Sequence, residues 1–304
     1  MPAIAPQSAD LPFSGQDSPY RDNPGDAFGV KDIGLPDGCQ VEQAHTLQRH
    51  ADRFPGDWSD DGPNNERFAE KVANHTKDGA AQFTGPLKFL NTWKYQLGTE
   101  YLTGVGAATE FKAGVSFWNQ YGRILYNASQ GQLQYNATYG NGTRRQKPVL
   151  RTTSQSRMLN SQINWALGFF GNSYYMTPDP YLGFCTDGSL FDVIVIPEGD
   201  NLNNTLASYD ACFADQVYGI GDIGDNDRIV HYKPIYLAGA TKRLQQYAPE
   251  GFEFNVNDTY AMQATCAYET AYIASSDLCG LFTEDEWAGF EHSQGIGYYC
   301  KTDC

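Results

Sequence analysis

The sequence predicts an α/β fold with a helical subdomain, on three observations. "FDVIVIP" (191–197) reads as a buried strand, closed by Pro197. "KPVLRTTSQSRMLNSQINWALGFFG" (147–171) reads as strand, turn and helix. The stretch 235–290 reads as mostly helical. Buried strands mixed with amphipathic helices define this class.

Taken in order, residues 1–38 are rich in Pro, Gly, Asp and Ser and read as an irregular surface arm. "CQVEQAHTLQ" (39–48) is a short strand candidate. Arg49 and His50 stand at its C-terminal end, the edge at which α/β sheets bind ligands. "NNERFAEKVANH" and "GPLKFLNTWKY" suggest two short helices, with Phe68 and Val72, then Leu87, Leu90 and Trp93, facing inward. "ATEFKAGVSFWNQYGRIL" is a clearer helix, with Phe111, Val115, Trp118 and Leu125 recurring at helical spacings. In the 147–171 segment Leu159, Ile163, Ala166, Leu167 and Phe170 share one helical face, and Gly171 is a natural stop. Thr153 or Ser154 can cap that helix. Arg157 then lies in its first turn, where free N–H groups and the positive dipole end favour an anion. Thr283 and Glu286 stand at capping-box spacing in "FTEDEW". There is no internal repeat and no low-complexity linker.

Composition narrows the function classes. The chain has 304 residues, 41% of them hydrophobic, enough for a large core. No run approaches the ~18 apolar residues of a membrane span. A net charge of −15 argues against nucleic acid or an anionic membrane as the main partner, and it suits work in acid, where carboxylates are protonated. It leaves room for an anionic substrate in a local basic pocket.

Six of the 18 asparagines open N-x-S/T sequons: Asn74, Asn127, Asn136, Asn141, Asn203 and Asn257. Roughly one in eight is the chance expectation. The excess suggests a glycosylated, extracellular protein, and three of the sequons crowd one polar excursion, 126–143. Seven cysteines suit an oxidising compartment, and the odd count leaves one thiol unpaired or paired outside this chain. The N-terminus shows no apolar signal-peptide region. The expectation is a leader already removed, or a natural start elsewhere.

The chemistry concentrates in Arg49-His50-Ala51-Asp52-Arg53. Guanidinium forks suit a phosphoryl group, whose charge sits on its equatorial oxygens, and an imidazole between them can attack phosphorus. The plainer reading is a solvated charged loop with surface ion pairs. "RRQK" (144–147), beside three sequons, reads as a solvated loop, and "GDIGDNDR" (221–228) as a turn that lacks calcium-loop spacing. "CKTDC" (300–304) has no nearby residues to complete a zinc site. No metal or cofactor is expected.

"QRHADRFP" resembles the R-H-G-x-R-x-P signature of the histidine acid phosphatases, in the histidine phosphatase superfamily, branch 2. Three further blocks follow in that family's order and resemble its fungal secreted acid phosphatases and phytases: "FLNTWKYQLGTEYLTGVGAATEFKAGVSFWNQYG", "LRTTSQSRMLNSQINWALGFFG" and "CAYETAYIASSDLCGLFTEDEWAGFEH". The resemblance implies a phosphoglycerate-mutase-like three-layer α/β/α core over 39–304, with inserted helical cap segments at about 56–100 and 205–290. It implies hydrolysis of a phosphomonoester, inositol phosphates among the candidates, without a metal. His50 matches the nucleophile that becomes phosphohistidine. Arg49, Arg53 and Arg157 match the phosphate-binding arginines, while Arg151 matches the other arginine of its block without being a direct ligand. Cys266 and Cys279 match a local disulfide, and Cys39 is the candidate for the orphan thiol.

Two departures stand out. Ala51 replaces the family's glycine, which costs something if that backbone has φ > 0. The family also completes its site with a later histidine-aspartate pair or a glutamate variant. None of the five histidines here is followed by Asp or opens His-Ala-Glu. By motif order the chain is expected to cover about the first two-thirds of the family domain. Asp52, beside the nucleophile, is a candidate for the missing acid. The competing expectation is a non-catalytic phosphate-binding glycoprotein or an inactive fragment.

Overall fold

The computed structural model describes Gly29 and residues 35–58, 60–77, 79, 82–171, 190–199, 204–207, 212, 214 and 217–302. The 1–38 arm and Asn203 therefore lie largely or wholly outside the described residues. The chain divides into two compact units, one of residues 1–19, 53–101 and 208–304, the other of residues 20–52 and 102–207.

The second unit holds the sheet. Strands β1 (Val149–Thr153) and β2 (Asp192–Ile196) pair in parallel, Val149 opposite Asp192 and Thr153 opposite Ile196. A parallel pair needs a crossover, and the helix Ser156–Phe170 lies within that connection. Its start differs from expectation. The N-cap is Gln155 and makes no side-chain cap bond, while Ser154 Oγ instead accepts from the Glu198 N–H at 3.0 Å. The stop is as read, with Gly171 at φ 57°.

This helix crosses Gly104–Phe117 at very close range. A methyl group at Gly114 would stand 2.0 Å from the Trp165 carbonyl oxygen, and one at Gly168 would stand 2.1 Å from that of Phe111. Glycine on both helices lets backbone meet backbone. The inward stripe of Gly104–Phe117 is Gly106, Glu110 and Gly114, continuing to Trp118, rather than Phe111 and Val115. Phe111 is 45% exposed, because its row would force the two helices apart. Trp118, Tyr135, Phe169, Phe170 and Phe191 form the aromatic core beside the sheet.

The expected strand at 39–48 is irregular, and Leu47 is 86% exposed. A strand exists only with a ladder partner, and among the described residues β1 and β2 pair with each other alone. The β2 run is also less buried than its sequence suggested, with Ile194 and Val195 exposed.

The first unit is helical. Gly62–Thr76, Ala238–Gln245, Val256–Ile273 and Glu284–Thr302 enclose a core of Phe68, Leu87, Leu90, Leu244, Phe252 and Met262. The segment read as a helix at 85–95 is a 3-10 turn, Gly85–Asn91. Val256–Ile273 starts at a full capping box, Asn255 with Asp258. The fully buried Asp258 carboxylate also takes Arg67 and Lys71 of Gly62–Thr76, both at 2.7 Å. Thr283 and Glu286 exchange the expected capping bonds. Cys266 and Cys279 are joined by a disulfide, and Cys39 carries a free, exposed thiol.

Candidate functional site

The loop that carries His50 is held by its backbone. The Asp52 carbonyl accepts from the Thr103 N–H at 2.9 Å and from the Thr103 hydroxyl at 3.1 Å. Thr103 is also the N-cap of Gly104–Phe117, its Oγ1 accepting from the Gly106 N–H. Gly106 faces the same carbonyl so closely that a Cβ there would lie 2.2 Å from it. The loop is thus seated on the first turn of a helix. Ala51 does not adopt a positive φ, so its methyl group fits without backbone strain.

His50 is half-buried, and its Nδ1 lies 2.8 Å from the Ala51 carbonyl oxygen. A carbonyl only accepts, so Nδ1 carries a hydrogen, which in the neutral ring leaves the lone pair on Nε2. That is the form an in-line attack requires. Arg49 precedes it and is exposed. Arg157 is half-buried in the first turn of Ser156–Phe170, at the C-terminal end of β1. Arg151 is on β1 itself and exposed.

Arg53, one residue past Asp52, belongs to the other unit. There its Nη1 donates to the Phe54 carbonyl at 2.7 Å and stands 3.8 Å from Asp61 Oδ2. Its guanidinium lies over the Trp58 ring, 5.0 Å from the centroid. Asp61 also accepts from the Gly56 N–H at 2.7 Å and from the Tyr268 hydroxyl at 2.8 Å.

Two carboxyl groups lie against the loop. Burial raises the pKa of Asp52, while its own backbone amide and the Thr109 hydroxyl oppose the shift. Glu110 is only 2% exposed, and burial pushes it up to about 7, with the nearby Asp52 charge adding to the rise. The Ser161 hydroxyl, the Ala51 amide and Gln48 pull the other way. Gln48 Nε2 donates to Glu110 Oε2. Sequence reading missed Glu110, Asp61 and Thr103. For Glu110 the signal was the spacing of Gly106, Glu110 and Gly114, one acid in a small-residue stripe at intervals of four.

The first unit contains a separate pocket of about 400 Å³, lined by Phe89, Trp93, Lys94, Ile273 and Ser276 around Glu269. Trp93 Nε1 and the Ser276 hydroxyl both donate to Glu269. Among the described residues no group of three or more His, Cys, Asp or Glu is arranged to hold a metal ion, and no helix is long and apolar enough to cross a membrane.

Comparison with known proteins gives the family and the fold. The profile of the histidine phosphatase superfamily (branch 2) matches residues 40–303. The chain belongs to that superfamily. The phytase of D. castellii, known from its crystal structure, superposes with a TM-score of 0.69 at 23% identity, over 96% of this chain and 57% of that one. The histidine phosphatase fold is therefore the fold of this chain. Acid phosphatase PHO11 of Saccharomyces cerevisiae is 26% identical over 98% of this chain. Phytase A of Aspergillus oryzae is 24% identical over 94%. Thiamine-repressible acid phosphatase pho4 of Schizosaccharomyces pombe is 25% identical over 92%. These matches span 58%, 54% and 54% of the relatives, so the chain corresponds to little more than half the length of each.

Proposed function

We propose that this histidine phosphatase hydrolyses phosphomonoesters outside the cell through a phosphohistidine on His50. The observation that carries the reading is the His50 ring, with Nδ1 committed to the Ala51 carbonyl and its lone pair on Nε2. In this reading Nε2 attacks phosphorus and the P–O ester bond breaks. Arg49, Arg53 and Arg157 hold the phosphoryl oxygens, and the arginines supply the positive charge a metal otherwise would. The alcohol leaves with a proton from an acid. Water then cleaves the P–N bond and frees phosphate and His50.

Relatives named phytase support inositol phosphates as candidate substrates beside simple monoesters. The sequons Asn74, Asn127, Asn136, Asn141 and Asn257 are all exposed, which supports a glycosylated, secreted protein. Asp52 is the candidate for the proton donor among the residues of the loop, since burial favours its protonated form.

The test is turnover of p-nitrophenyl phosphate at acid pH. Wild type is expected to turn over steadily, His50→Ala to lose at least about 10³-fold in kcat, and rapid quenching of wild type in alkaline denaturant, where the P–N bond survives, to trap up to one phosphate per chain. Phosphate binding without turnover of any monoester would make the chain a phosphate-binding module instead.

A further inference from the structure

We propose that Glu110 is a positioning residue that ties the His50 loop to the helix carrying Arg157, and that it does so as a neutral acid. The proposal rests on the phosphatase reading of His50 and goes beyond it in naming what sets the geometry and its acid preference. Glu110 stands on Gly104–Phe117 and reaches two neighbours. On one side it takes the Gln48 amide and the Ala51 N–H, which flank the nucleophile in sequence. On the other it meets the hydroxyl of Ser161, one helical turn beyond Arg157 in Ser156–Phe170. One side chain therefore touches both structures that present phosphate-binding groups in this unit.

The ionisation state follows from burial beside a second acid. Glu110 Oε1 is buried with no hydrogen-bond partner, and so is Ser161 Oγ. A carboxylate charge in so dry a site costs free energy that neutral dipoles return only in part. With a proton on Oε1 the carboxyl can meet the Ser161 hydroxyl as donor or acceptor, while Oε2 goes on accepting from Gln48. The groups facing Glu110 are Gln48, the Ala51 amide and Asp52 from the loop, and Ser161 from the partner helix. None of them is a cation, and Asp52 repels a second negative charge. Loss of the proton leaves a charge under the loop, beside Asp52 and among neutral dipoles. Burial at 2% exposure, behind the loop backbone, also keeps Glu110 from reaching a leaving group. It positions the site rather than acting as its acid.

The experiment uses the whole chain with Glu110→Gln and Glu110→Leu. For each, kcat, KM and the affinity for inorganic phosphate are measured from pH 4 to 8, on p-nitrophenyl phosphate and on an alkyl phosphate. Glu110→Gln, a permanently neutral mimic, is expected to stay within about twofold of wild type at pH 5 and to lose the falling limb near neutral pH. Glu110→Leu is expected to lose about 10- to 100-fold in kcat/KM at pH 5, equally on both substrates, as misplacement does. Three results overturn the proposal: Glu110→Leu unchanged in turnover and phosphate affinity, Glu110→Gln keeping the limb, or a loss far larger on the alkyl ester, which would mark a proton donor. An inactive wild type that still binds phosphate defeats the catalytic reading alone, and phosphate affinity across pH then carries the same comparison. A wild type that neither turns over nor binds phosphate defeats both.

Discussion

Arg53 is fixed from three directions: the Phe54 carbonyl, the Asp61 carboxylate and the Trp58 ring. A guanidinium so held keeps its orientation, and a planar fork matches two phosphoryl oxygens at once. Lysine can supply the charge but neither the fork nor the stacking. Arg53→Lys is therefore expected to weaken inhibition by inorganic phosphate by about tenfold or more, with little loss of stability. Asp61→Ala should act in the opposite proportion. It strips acceptors from the Gly56 N–H and the Tyr268 hydroxyl as well as from Arg53, and is expected to destabilise by ~2–4 kcal/mol in urea melts. The difference between these residues also explains what the sequence disclosed. Arg49, His50 and Arg53 are read locally, from one short loop. Asp61 is defined by a partner 207 positions away, and Glu110 by one 62 positions away. No local pattern announces such pairs.

Elements that satisfy themselves were legible, and those that need a distant partner were not. The Thr283–Glu286 box closes on its own backbone, so spacing alone identified it. The Ser156–Phe170 helix was likewise readable from its apolar period and its terminal glycine. Residues 39–48 had the composition of a strand, but a strand's stability lives in its neighbour. The helix Gly104–Phe117 shows the same limit in another form. Its apolar residues pointed to one face, while its glycines chose the other by admitting a helix backbone within contact. That choice is testable. At Gly168 a methyl group meets the Phe111 carbonyl rather than a yielding side chain, so Gly168→Ala is expected to cost ~1–3 kcal/mol despite its gain in helix propensity. Gly106→Ala meets the Asp52 carbonyl instead and pushes on the His50 loop. Its loss should be seen in kcat/KM, by about 100-fold, beyond what its thermal stability predicts.

At the scale of the whole chain, the −15 net charge and the buried carboxyl groups push stability in the same direction with pH. Acidification reduces self-repulsion among the surface carboxylates. It also favours Glu110, whose ordinary value of 4.5 rises to about 7 in the fold, and in direction Asp52 and Glu269 as well, all by burial. The sign follows from proton counting. Between those two values the folded chain keeps a proton on Glu110 that the unfolded chain has released. Stability from this group is thus complete below about 4.5 and is lost as pH rises through about 7. At ~1.4 kcal/mol per pKa unit the loss from Glu110 is of order 3 kcal/mol. Urea midpoints are expected to fall from pH 5 to pH 7.5. General charge repulsion and a specific buried acid are separated by two substitutions that remove the same single charge. Glu70→Gln, on the exposed face of Gly62–Thr76, should leave the slope of stability against pH nearly as in wild type. Glu110→Gln should flatten it by most of the Glu110 share. Equal slopes in the two variants would assign the pH dependence to surface charge and remove the buried acid from the account.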